Sequence, residues 1–329
     1  MNTRQTKTLA IVLAVLLAGL FATTLSNNHR DTSAGSMLFP ELKSKINDVS
    51  QLTVSKAGES VTMNNSAGRW ALVEKQDYPV DTGKLRWLML SLADARKIEE
   101  KTSNAELYER LAVEDTAPDS QGTEIRFGGA DSQRSIIIGN IAQTKYRYAR
   151  IPGDAESWLI DQNPTLPGDA SGWLLAEILN IDSTKVQSVT ITHGDGETIS
   201  IDKEDAAVTD FTVTVIPEGR ELSYPSVVDG MAGVVSGLNL VDVAAAIDRQ
   251  GDDSAATAVF TTFEGLQLTI ESSRHDENTW ITVRADHTDA NSDEAREIED
   301  RVSGWEYQIQ SYKADQLRRR WDDILKAEE

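Results

Sequence analysis

The 329-residue chain contains no cysteine. That excludes disulfides, thiolate metal sites, cysteine catalysis and an acylated lipoprotein anchor. Histidine occurs only at His29, His193, His275 and His287, so a histidine-based centre would have to draw on these four. No Gly-x-x-x-x-Gly-Lys loop is present to cradle phosphates, so the chain is not itself an ATPase. The nucleophile-elbow pattern is missing as well. Its nearest imitation, Gly233-Val-Val-Ser236-Gly237, has the wrong spacing and lies on a stripe with helical period, where small residues serve close packing. Long hydrophobic runs are absent too, with one exception.

The exception is Leu9 to Leu25, seventeen residues without a charge, an amide or a proline. As a helix it would cover about 26 Å, just under a hydrocarbon core of about 30 Å. Arg4 and Lys7 precede it and only Arg30 follows closely, which favours a cytoplasmic start and an exported remainder. A cleaved signal peptide is the competing reading. The run exceeds the usual apolar length of such peptides, and Ala22-Thr23-Thr24 is a poor cleavage site, so an uncleaved anchor is expected. The expected place is a bacterial inner membrane, crossed once, with the C-terminal portion extracytoplasmic.

Net charge is −21, and the first thirty residues carry bases but no acid. The exported portion is therefore strongly acidic, which argues against nucleic acid as a partner and serves solubility.

After a polar stalk over 26–44 the chain repeats itself. Val49-Ser-Gln-Leu52-Thr-Val54 has a counterpart in Val186-Gln-Ser-Val189-Thr-Ile191, and Gly58-Glu-Ser-Val61-Thr-Met63 in Gly196-Glu-Thr-Ile199-Ser-Ile201. Trp70-Ala-Leu72 answers to Phe211-Thr-Val213, and Tyr78-Pro79 to Tyr224-Pro225. Four matches in one order indicate an internal duplication. Alternating apolar residues predict short strands in each copy. Asp195-Gly196 suits a tight hairpin turn. Leu85, Leu88, Met89 and Leu92 predict a helix capped by Asp81 or Thr82. In the second copy Val227, Met231, Val234, Val235 and Leu238 predict its equivalent, and Trp173 to Leu179 predicts a short helix between the copies. Further strands are expected at 124–127, 135–138, 146–148, 158–160, 258–263, 266–270 and 280–283.

The expected fold class is α+β: an N-terminal transmembrane helix followed by a tandem duplication of a strand-helix-strand module. The expected divisions are a cytoplasmic N-terminus at 1–8, the membrane helix at 9–25 and the stalk at 26–44. The first repeat then runs over 45–170, the second over 171–310 and a C-terminal helix over 311–329.

Three elements carry a family resemblance: the tryptophan strand before a helix start (Trp70 to Asp81), the Ile136-Ile-Ile-Gly139 to Tyr146 element, and the tail Trp305-Glu-Tyr307 to Tyr312-Lys313. With the N-terminal apolar run, the layout resembles the domain of unknown function 4340 family. The resemblance implies an accessory role beside an ABC-type export permease and an auxiliary subunit of the gliding-motility type. It brings no catalytic residues with it.

Nothing in the residues supplies a catalytic, cofactor-binding or metal site. His29 and His193 read as exposed turn residues. His275 and His287 have acidic neighbours in Asp276, Asp286 and Asp289, at a spacing that fits no ligand helix. Asp289 to Asp300 imitates a calcium loop but has Glu294 where the sharp turn needs glycine, so it reads as an acidic loop running into a helix. At the C-terminus Leu317, Trp321, Ile324 and Leu325 share one helical face beside Arg318-Arg319-Arg320. That helix either docks a partner or headgroups, or packs on its own domain with its arginines paired to local acids, and the second is expected.

The function expected is a non-enzymatic accessory or scaffold subunit of an ABC-type export system. The alternative is an extracytoplasmic binding module for an envelope polymer or exported substrate, with Tyr146, Tyr148 and Trp158 lining its cleft. An envelope hydrolase ranks behind both, for want of a nucleophile and base at workable spacing.

Overall fold

The computed structural model describes residues 35–129, 134–246, 256–275, 277–286 and 292–327. The chain divides into two compact units at Trp173/Leu174.

In the first unit the alternating stretches become β1 (Val49–Lys56), β2 (Glu59–Ser66), β3 (Arg69–Leu72) and β4 (Tyr78–Pro79). Helix α1 (Thr82–Asp94) follows, then β5 (Lys97–Thr102), β6 (Thr123–Gly129), β7 (Arg134–Ala142), β8 (Tyr146–Arg150) and β9 (Ser157–Ile160). They form one antiparallel sheet in the order β4-β3-β2-β1-β6-β7-β8-β9-β5. The β1–β2 hairpin turns on Ala57 and Gly58, both at positive φ, the left-handed pair that matches strand twist. Across the sheet Leu72, Met63, Leu52 and Phe127 pair in one row. All four are buried, at roughly 2 kcal/mol for each large apolar side chain.

The second unit opens with β10 (Glu177–Leu179), then β11 (Val186–His193), β12 (Thr198–Asp202), β13 (Thr212–Val213) and β14 (Leu238–Ala245). After these come β15 (Ala256–Thr262), β16 (Gln267–His275), β17 (Asn278–Asp286), α2 (Ser292–Val302), β18 (Trp305–Ile309) and α3 (Ser311–Leu317). The sheet order is β10-β14-β18-β17-β16-β15-β11-β12-β13. From β13 to β14 this is the same sequence of strands as from β3 to β5.

The likeness extends to irregularities. β1 meets β6 through a bulge between Val49 and Gln51, and β11 meets β15 through a bulge between Val186 and Ser188. The extra residue turns Val49 and Val186 back onto the face of Leu52 and Val189, and both valines are buried. Each unit is also led in by an extended segment. Met37 bridges Arg96 just before β5, as β10 pairs with the start of β14.

The α+β assignment is overturned. The described residues form two large antiparallel sheets, and the strand-helix-strand module does not recur. α1 has 13 residues, and the Asp81 side chain accepts from Gly83 N and Lys84 N at 2.9 and 3.1 Å. Its expected counterpart is one helical turn, Asp229–Ala232, and a 3-10 turn, Gly233–Val235. Val228, at the cap position, offers no side-chain acceptor, and the Asp229 carboxylate receives Phe211 N at 2.9 Å instead. Gly230 and Gly233 add about 1 kcal/mol each against helix. The apolar stripe is still buried, but as turn and strand. The short helix expected at 173–179 is likewise a 3-10 turn, Ser171–Trp173, followed by β10. Residues 311–329 do not make one helix, since α3 and a single turn at Trp321–Ile324 are separated by the arginine triplet. No helix among the described residues is long and apolar enough to cross a membrane. The transmembrane helix expected at 9–25 falls outside the described residues.

Arg150 fastens the segment that crosses β6 and β7. Its Nε donates to the Val113 carbonyl at 2.7 Å, one terminal nitrogen to the Asp154 carbonyl at 3.1 Å, and the other to the Asp115 carboxylate. The Tyr108 ring stacks 4.6 Å from the guanidinium carbon. This brings the segment's backbone so near the sheet that a Cβ on Gly139 would stand 2.1 Å from the Leu111 carbonyl oxygen. Gly139→Ala is therefore expected to destabilise the chain by about 2–3 kcal/mol, read by denaturant unfolding. Gly68→Ala, strained in φ but facing open space, should lose about 1 kcal/mol; equal losses at the two positions would refute the close approach.

Candidate functional site

A cleft of about 470 Å³ opens in the first unit between α1 and the near end of β1–β3. β3 places Trp70 on the core face, two residues before buried Leu72, and there the half-buried ring forms part of the wall. The β2–β3 turn adds Asn65, whose side-chain oxygen accepts Gly68 N at 2.9 Å, and the chain before β1 adds Asn47. α1 buries Leu85, Leu88 and Leu92, which brings Met89, Leu90 and Arg86 to the cleft. Beyond Leu90, one turn back along the helix, stands Trp87. These two side chains are 43% and 46% exposed, two large apolar groups one turn apart on a single helix. Lys84 donates to the Gly172 carbonyl at 3.0 Å, whereas Arg86 makes neither an ion pair nor a side-chain hydrogen bond with a described residue. The arrangement offers an aromatic ring, two amides, aliphatic walls and one uncommitted guanidinium. That is equipment for binding. The second unit builds no counterpart to its helical wall, because a single turn stands where α1 would be.

The residues weighed from the sequence do not converge. Trp158 pairs across the ladder with Ala149, while Tyr148 pairs with Leu159, so Trp158 lies on the opposite sheet face from Tyr146 and Tyr148. The three cannot line one cleft. Trp158 is buried, with the Lys97 ammonium 4.6 Å from its ring, and Tyr148 packs against Tyr108, Val113 and Ile137. His193 is no exposed turn residue. It is buried, and its Nε2 donates to the Arg319 carbonyl at 2.9 Å. His275 pairs with the Ser273 hydroxyl at 2.8 Å. His29, Asp276, His287 and Asp289 lie outside the described residues. In the calcium-like stretch Asp293, Glu297 and Asp300 sit on α2, a regular helix that cannot wrap an ion. Among the described residues no group of three or more His, Asp or Glu is placed to hold a metal.

Two arginines of the triplet bind within their own unit. Arg319 donates to the Val227 carbonyl, and Arg320 reaches Asp195 at 2.7 Å and Glu197 at 3.1 Å. Trp321 N donates to Glu197 at 2.9 Å, Ser223 N to the Ile324 carbonyl at 2.8 Å, and Lys326 pairs with Glu221 at 2.5 Å. Upstream, the buried Lys313 ammonium closes the 233–236 turn by donating to the Gly233 and Ser236 carbonyls at 2.5 and 2.7 Å, and burial pushes its pKa down. Asp195 is held below the ordinary carboxylate range, first by the Glu197 backbone N–H and then by Arg320; Lys326 lowers Glu221 in the same way.

A carboxylate lowered in the folded state stabilises it at neutral pH, and that contribution is lost as pH falls through the lowered value. The 318–327 segment is thus expected to loosen below about pH 4. Amide signals of 318–327 followed through an acid titration test this. In Asp195→Asn the loosening should already show at neutral pH, and an unchanged acid transition in that variant would rule the clasp out.

The sequence missed the α1 cleft because Trp70 reads as core and Arg86, Trp87 and Leu90 as a solvated helix face. The available signal was the pair Trp87 and Leu90, large apolar residues at i and i+3 outside the buried stripe.

Residues 70–262, more than half of the chain, match the family described as domain of unknown function 4340. No curated protein and no solved structure matches.

Proposed function

Since the chain belongs to the domain of unknown function 4340 family, we propose that it is a non-enzymatic accessory or scaffold subunit of an ABC-type export system. It works at the bacterial inner membrane, on the extracytoplasmic side. The observation that carries this reading is the exposed Trp87–Leu90 surface of α1 beside an open cleft. Large apolar side chains held in solvent one turn apart, beside an arginine that has no partner among the described residues, suit contact with another protein. The duplicated sheet supports it as a rigid frame, since antiparallel ladders pin both ends of each strand. The N-terminal apolar stretch 9–25 supports the location, and the acidic remainder of the chain supports exclusion of nucleic acid.

The test is to solubilise tagged full-length protein from native membranes and identify what co-purifies by mass spectrometry. An ATPase and a polytopic permease in stoichiometric amounts are expected. Their absence after mild crosslinking would overturn the proposal.

A further inference from the structure

We propose that the α1 cleft is a peptide-binding site for a partner segment that carries an apolar side chain next to a carboxylate. This rests on the reading of the chain as a partner-binding subunit and specifies the chemistry of that contact. The volume, about 470 Å³, suits one or two large side chains, not a folded surface. Its walls from Met89 and Leu90 are aliphatic and flexible, and the Trp70 ring closes one side. An apolar side chain fits that space better than a sugar ring, which needs an open aromatic platform. The charge argument is stronger. In a chain of net charge −21, the one charged residue lining this cleft is cationic. Among the described residues Arg86 has no carboxylate partner, whereas the neighbouring Lys84 is bound to Asp81 at 3.5 Å and to a carbonyl. A guanidinium left unpaired beside an apolar cleft offers a charge-assisted, bidentate contact to an incoming carboxylate. Trp87 and Leu90 extend the apolar surface outward along α1, so a segment anchored in the cleft continues along the helix.

The probe is the peptide acetyl-Leu-Phe-Asp-Glu-Leu-amide, titrated to about 5 mM into ¹⁵N-labelled full-length protein in detergent, with the indole signals observed. Saturable movement of the Trp70 and Trp87 indoles is expected. The same peptide with Asn and Gln for its acids should bind about tenfold more weakly. Arg86→Ala should erase that difference, and Arg86→Lys should restore part of it; because Arg86 is exposed and has no partner among the described residues, neither variant threatens the fold. Equal binding of the acidic and amide peptides, or no saturable shift, would overturn the inference. So would movement of the Trp70 indole by a soluble muropeptide and not by the peptide, which would assign the cleft to an envelope polymer. Shifts that follow protein concentration alone would assign it to a second copy of the chain and overturn the inference as well. The co-purification can succeed while this titration fails, and the reverse, so the two failures are distinguishable.

Discussion

The pairing of β1 with β6, and of β11 with β15, is the contact on which each unit depends. Each joins a strand from the first hairpin of its unit to one beyond a long excursion, so the sheet closes only when distant segments meet. The bulge in each pair puts Val49 or Val186 on the buried face, where an unbroken ladder would turn it outward. Without that extra residue, the first strand would begin with a valine in solvent. Gly128 and Gly129 stand opposite the first bulge, where a Cβ on Gly129 would lie 2.6 Å from the Asp48 carbonyl oxygen. The duplication preserved a defect in the ladder because the defect sets the register.

On this shared frame the two units diverge in what they lay over it. The first spends a capped helix of 13 residues on its sheet and so gains a wall, a cleft and an exposed apolar ridge. The second breaks the equivalent stretch with glycines and buries its apolar residues as a turn. Its C-terminal segment then closes over the unit: Lys313 secures that turn, and Arg319 and Arg320 tie down the chain beyond it. Arg319 and Arg320, conspicuous in an acidic chain, are fastenings of the second unit. The less conspicuous Arg86 makes no ion pair or side-chain hydrogen bond among the described residues.

Strands were legible from the sequence because period-two alternation survives wherever one face of a sheet is buried. Leu52 and Val54, Val189 and Ile191 read correctly for that reason. A cap at Asp81 or Thr82 was legible too, being local chemistry: the Asp81 side chain accepts from the amides two and three residues on. The second helix misled because Val227, Met231, Val234 and Val235 keep a helical period while Gly230 and Gly233 remove the propensity to follow it. The proposed aromatic cleft misled because Tyr148 and Trp158 are near in sequence, yet register, which spacing alone does not reveal, put them on opposite faces.

The sequence by itself determined the absence of thiol chemistry, the single long apolar stretch, the acidic balance, the family and the strands that alternate visibly, but not β5, β10, β14 or β18. These depend on composition and on interactions within a few residues. Tertiary structure alone decided that the repeats are nine-stranded antiparallel sheets, that His193 is buried beneath the tail, and that Arg86 stands beside Trp70 with no partner among the described residues. Each of those outcomes is set by which distant segments pair and in what register. That choice is made by the burial of the whole sheet, and no short window of sequence contains it.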